Sequence, residues 1–213
     1  MNQLPSKPRF YFAHRQAIRA LIHLGVNALP FDPLKAIRLI GCKAYSYQQC
    51  IQEYHVPIRD IVVGAESKDG CVFPMFGKYA ILYNTEGNTQ TRIRWTLAHE
   101  LAHILLGHLT DFTSEQLAFD KREDHDVLDQ EADACAAELL APSPILYRLG
   151  FYDAATIRSA CNISWKASKY REHFFLRIAQ TYRQYFLSED DIKLLWQFYS
   201  FIMANARISK NVA

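Results

Sequence analysis

The chain reads as an α+β protein, mainly helical, with a small antiparallel sheet packed on a central helix and a helical C-terminal region. Three observations lead to that class. Apolar residues recur at helical spacing in residues 10–25, 96–108, 131–141 and over most of residues 142–213, which is the pattern of helices with one buried face. Between residues 42 and 84 the pattern shortens to β-prone runs. Finally, residues 71–76 and 78–83 flank Gly77 as two strands flank a tight turn, with Pro74 placing the first of them at a sheet edge or in a bulge. An edge strand beside the central helix offers unpaired backbone groups to an extended peptide.

Each helix carries its own stop and start signals. The first closes at Gly25, and Asp32-Pro33 then caps a short second helix through Leu39. In the central helix, Leu97, Leu101, Ile104 and Leu105 fall on one stripe, and Gly107 suits its end. Pro142 stops the helix that begins near Glu131. No Gly/Ser-rich or Pro-rich linker separates regions, so the expected boundaries are soft: 1–55 an N-terminal helical scaffold, 56–150 a core, 151–213 a C-terminal helical region.

Composition narrows the class. A chain of 213 residues, 50% hydrophobic and 13% aromatic, buries a sizeable core and is not disordered. The first ten residues lack an apolar leader, and no apolar stretch approaches the ~20 residues a membrane span needs, which points to the cytoplasm and away from membranes. Five cysteines without a Cys-x-x-Cys spacing argue against a disulfide framework and against a cysteine zinc site.

The chemistry is concentrated in two helices. Residues 99–103 read His-Glu-Leu-Ala-His, which puts His99 and His103 one turn apart on one helix face, able to present imidazole nitrogens to one metal ion. Glu100, beside them, is placed to take a proton from water at the metal. Glu131 follows 28 positions after His103. Two neutral imidazoles and one carboxylate leave a divalent ion with net positive charge and an open position, so Glu131 is the expected third ligand. Its helix is otherwise small and apolar (Ala132, Ala134, Ala136, Ala137), which lets it approach the first closely. Glu138, two turns further on, is a candidate to orient a ligand histidine, and Asp133 a weaker one.

Residues 92–108, with the histidine pair, and residues 131–142, Glu-Ala-Asp-Ala-Cys-Ala-Ala-Glu-Leu-Leu-Ala-Pro, resemble the ImmA/IrrE family of metallopeptidases. The likeness extends more loosely to residues 79–84 and 29–34, and Cys135 stands where the family often has an aromatic residue. The resemblance implies a zincin-like fold, Zn²⁺ on His99, His103 and Glu131, and Glu100 as general base. It also implies a protein substrate, typically a helix-turn-helix repressor of a phage, mobile element or stress response.

The remaining segments speak less clearly. Residues 110–129 are rich in acid and read as a solvated loop or a rim that attracts a basic target, and His108 and His125 are candidates, each against a plain surface role, for stabilising an oxyanion. Residues 142–213 hold 10 basic and 5 acidic residues, a net +5 against −3 for the remainder. Within them, residues 154–175 have a helix, turn, helix rhythm, but the presumed recognition face mixes Trp165, Tyr170 and Glu172 with few bases. Packing or partner docking is therefore favoured there over direct nucleic-acid binding. The apolar stripe of Leu194, Leu195, Phe198, Phe201 and Ile202 closes a core or docks a partner. The alternative to a protease is a non-catalytic protein, either a DNA-binding regulator or one that sequesters a repressor or toxin, with a structural zinc.

Overall fold

The structure, a computed structural model, describes residues 3–55, 57–65, 67–113, 116–117, 127–182 and 187–209. By compactness the chain divides into two units: Met1–His14 with Asp32–Ala136, and Arg15–Phe31 with Ala137–Ala213.

The first unit opens with the start of α1 (Phe10–His23) and continues through α2 (Pro33–Leu39), β1 (Lys43–Ser46), α3 (Tyr47–Tyr54) and α4 (Ile58–Ala65). It then forms β2 (Gly70–Met75), β3 (Lys78–Tyr83), α5 (Gln90–Leu105), the short α6 (His108–Asp111) and most of α7 (Val127–Leu140). Asp32 caps α2 as expected, accepting from the Lys35 amide at 3.1 Å.

The sheet is mixed rather than antiparallel. Its order is β1-β3-β2, with β2 and β3 the expected antiparallel hairpin and β1 parallel to β3 in the register Lys43 to Ala80 through Ser46 to Tyr83. The difference comes from residues 47–65, which read as β-prone but form α3 and α4. Ser46 and Gln49 make a capping box, the Ser46 hydroxyl accepting from the Gln49 amide at 3.1 Å while the Gln49 side chain accepts from the Ser46 amide at 2.7 Å. Helices after β1 provide the crossover that a parallel pairing requires.

The hairpin turns on Phe76 and Gly77, both in the left-handed region at φ 49° and 75°, as a two-residue type I′ turn demands. Because the Asn84 amide donates to the Asp69 carbonyl at 2.8 Å, ladder bonds alternate from that pair to Cys71, Phe73 and Met75. Gly70, Val72 and Pro74 therefore turn their main-chain groups outward, and the missing N–H of Pro74 costs the ladder nothing. Gly70 also lets β2 approach the central helix: a Cβ there would lie 2.6 Å from the Thr96 side chain and 2.7 Å from the Leu82 carbonyl.

Helix α5 packs on β2 and β3 and receives α2 on another side. Leu97, Ala98, Leu101 and Ala102 are buried there, whereas Ile104 and Leu105 are only half-buried. Thr89 caps its start and Gly107, at φ 75°, follows its end. The result is an α+β, zincin-like unit whose sheet carries the histidine helix.

The second unit holds the remainder of α1, the end of α7, and α8 (Ser143–Leu149), α9 (Ala154–Cys161), α10 (Trp165–Tyr182), α11 (Glu189–Gln197) and α12 (Tyr199–Ser209). Leu194, Phe198 and Ile202 are buried, so that stripe closes the core of this unit. Asp190 holds Arg15 and Arg19 at 2.6 and 3.0 Å, and the Gln197 amide donates to the Leu21 and Val26 carbonyls. Residues 154–175 form the expected helix, turn, helix, with Asn162 left-handed at φ 50° and Ile163 buried. Glu172 leaves the outer face, accepting the Ala154 amide at 3.0 Å and so capping α9. Among the described residues no helix is long and apolar enough to cross a membrane.

Candidate metal centre

The centre is assembled by two helices of the first unit. On α5, His99 and His103 present their Nε2 atoms to each other at 3.1 Å. From α7, the Asp129 Oδ1 lies 3.3 Å from the His103 Nε2 and 4.0 Å from the His99 Nε2. Three atoms that each bond one ion at ~2 Å in a tetrahedral arrangement stand about 3.3 Å apart, so these separations fit a single divalent cation. Among the described residues these three form the one grouping able to hold a metal.

Asp129 thus occupies the place expected of Glu131, and the expectation is corrected on the helix's own geometry. At 100° per residue, Glu131 is turned about 200° from Asp129 around α7, away from the edge that meets the histidines. It lies within the buried stripe of Leu128, Ala132, Cys135, Ala136 and Leu139, and is itself fully buried. There its Oε1 accepts from the Arg9 amide at 2.7 Å and the Arg9 Nε at 2.8 Å, and its Oε2 from the Arg9 Nη2 at 2.8 Å. Oε2 also meets the His108 Nε2 at 3.2 Å. Burial alone would raise the carboxyl's pKa, but the His108 and Arg9 contacts prevail and hold it at about 2, ionised throughout the physiological range.

The outer ring of contacts orients the histidines. The His99 Nδ1 lies 2.8 Å from the Asp133 Oδ1, which accepts its proton and leaves Nε2 as the lone-pair nitrogen facing the centre. That duty was expected of Glu138 first and Asp133 second. The structure gives Glu138 to other partners: its carboxylate accepts from the Ser143 amide and hydroxyl at 2.6 and 2.9 Å, capping α8, and pairs with Arg171 at 2.5 Å. The second histidine, His103, meets the Nδ1 of His108 with its own Nδ1 at 3.0 Å. His108 is fully buried between His103 and Glu131, so it is not an oxyanion donor. His125, and the acids of 110–129 apart from Asp111 and Asp129, lie outside the described residues.

Electrostatics distinguish the two histidines. Burial works against the charged form of His99, but Asp133, Glu100 and Asp129 outweigh it and raise its pKa. In His103 burial dominates, opposed by Asp129 and reinforced by the flanking His99 and His108, and the pKa falls to about 4. At neutral pH His103 is therefore an uncharged donor, and the acidic surroundings of His99 are those that attract a cation. Glu100 sits half-buried next to His99 on α5, near enough for its charge to act on that imidazole and, after burial and Cys71, on the raised Tyr47 hydroxyl.

Of the site residues read from sequence, the structure brings His99, His103 and Glu100 together and sets Glu131 and Glu138 in other contacts. Asp129, Arg9 and the His108 contact were missed. Asp129 had a signal: with Asp133 it makes an i, i+4 acidic pair on the exposed margin of an apolar helix, as an accessible ligand and its supporting neighbour would.

An α+β unit with a sheet-backed helix carrying two histidines and a second helix carrying an aspartate defines a zincin-like protein of the peptidase type. The family model of the IrrE N-terminal-like domain, peptidase family M78, matches residues 52–173, and the chain belongs to that family. The search of curated proteins gave no match.

Proposed function

We propose that the protein is a zinc-dependent endopeptidase that cleaves another protein, with a helix-turn-helix transcriptional repressor as its target. The observation that carries the reading is the convergence of the His99, His103 and Asp129 donor atoms at metal-ligand spacing, with Glu100 adjacent on the same helix. Two imidazoles and one carboxylate are a zinc donor set, and a bound Zn²⁺ would supply Lewis acidity toward a peptide carbonyl and toward water. His99 and His103 would hold the ion through their Nε2 atoms. Glu100 accepts the proton of the attacking water and returns it to the leaving nitrogen. Asp133 keeps His99 in the tautomer this requires. The repressor target comes from the family resemblance, since the site chemistry serves any peptide bond that reaches it.

The test is to co-express the chain with the product of the gene adjacent to its own, and to treat the purified pair with a zinc chelator. Cleavage is expected to stop with chelation and to return on adding Zn²⁺. A repressor left whole by the zinc-loaded protein favours a sequestering partner and rejects the protease.

The outward main-chain groups of Val72 on β2 are where an extended substrate segment would pair as an added strand, since the Gly70 amide already donates to the Ser67 hydroxyl at 3.1 Å. Val72→Pro removes one outward donor and leaves the ladder to β3 intact. It is expected to raise the KM for a peptide substrate several-fold with zinc content unchanged, measured by steady-state kinetics and metal analysis. An unaltered KM rejects pairing at this edge.

A further inference from the structure

We propose that Arg9, acting through Glu131 and His108, is a positioning residue for the metal ligand His103, so that the segment preceding α1 sets the metal affinity of the centre. The inference rests on the metal-centre reading above and adds a residue 122 positions away from the carboxylate it holds.

An unbroken line of contacts runs from Arg9 to His103. Arg9 commits three donors to Glu131, its amide and Nε to one oxygen and its Nη2 to the other, which fixes the carboxylate in place and leaves it only able to accept. The contact of the His108 Nε2 with the Glu131 Oε2 at 3.2 Å is then a hydrogen bond only if that nitrogen carries the proton. The opposite side of the same ring meets His103, Nδ1 to Nδ1 at 3.0 Å, so the carboxylate that Arg9 fixes also fixes the ring against which His103 rests. The far edge of the His103 ring carries the Nε2 directed at the His99 Nε2 and the Asp129 Oδ1. Each contact positions the next ring or carboxylate, from a guanidinium to the nitrogen that would bind the ion.

Two features make the chain more than a buried ion pair. His108 and Glu131 are both fully buried, so water cannot replace a missing partner. The links also run in one direction only, because Arg9 has no acceptor and the carboxylate has no proton.

The experiment measures the zinc affinity of the full-length chain by competition with a chromophoric chelator, together with the visible spectrum of the Co²⁺-substituted protein. Arg9→Ala and Glu131→Gln are expected to weaken zinc binding by about 10- to 100-fold, the usual cost of losing an outer partner, with cobalt bands that keep their positions and intensities because no ligand is lost. Arg9→Lys keeps the charge and the amide but not the fork, and is expected to recover part of the loss. In a His108→Phe background, Arg9→Ala is expected to cost no further affinity, since the link is already cut. If Arg9→Ala does not fold, the Arg9→Lys and His108→Phe pair carries the same comparison. Wild-type affinity in both Arg9 variants overturns the inference and leaves the metal centre standing. A cobalt spectrum altered by Glu131→Gln but not by Arg9→Ala overturns it in favour of Glu131 as a ligand. A wild-type chain that fails to bind zinc overturns the metal-centre reading itself.

Discussion

Glu100→Gln is expected to slow peptide-bond cleavage by roughly 10²- to 10⁴-fold while the protein keeps its zinc and its fold, the range that loss of a general acid–base typically costs. Glutamine preserves the size and polarity of the side chain but cannot accept a proton from water or return one to the leaving nitrogen. Glu100 is not among the atoms that converge at the centre, so the donor set of His99, His103 and Asp129 survives the change. Single-turnover cleavage of the repressor, measured beside zinc content, separates the outcomes. A protein that binds its target whole and is indifferent to Glu100→Gln acts by sequestration. Loss of zinc in the variant would instead make Glu100 part of the binding set.

How much of this was legible in the sequence depended on how local each feature is. The His99–His103 pair is fixed by a four-residue spacing within one helix, which needs no knowledge of the rest of the fold. The hairpin around Gly77 and the Asp32 cap are local in the same sense, and both are present. The third donor of the grouping is different, because it depends on the rotation of α7 about its axis, and that is set by what the other face of the helix buries. Leu128, Ala132, Cys135, Ala136 and Leu139 mark that buried stripe, and Glu131 stands in its middle while Asp129 stands at its edge. Chemistry alone favoured Glu131; helical phase would have favoured Asp129. Arg9 left no local trace, since its partner lies 122 residues away and nothing in the first ten residues signals a buried carboxylate. The parallel pairing of β1 was hidden for a different reason: the aromatic and β-branched residues of 47–65 suggest strands, and the Ser46–Gln49 capping box overrides that preference.

Asp129→Ala is expected to weaken zinc binding well beyond the ~10- to 100-fold that outer partners cost, and to remove cleavage with it. The carboxylate is the only negative donor in the grouping, so its loss leaves two neutral imidazoles to hold a divalent ion, with nothing to offset its charge. It also contributes to the acidic field around His99; without it that imidazole is less readily charged, but it has lost the partner that completes the binding set. The decisive comparison is with Glu131→Gln under identical conditions. If Asp129 is the ligand, its removal changes the cobalt spectrum and affinity far more than Glu131→Gln does, because Glu131 acts only at one remove, through His108. The reverse order would mean that metal binding rotates α7 and brings Glu131 out of its contacts with Arg9. That rotation would have to break the three hydrogen bonds from Arg9 and the contact with His108, leaving the fully buried His108 without its carboxylate, a cost that Asp129, already half-exposed at the histidines, does not incur.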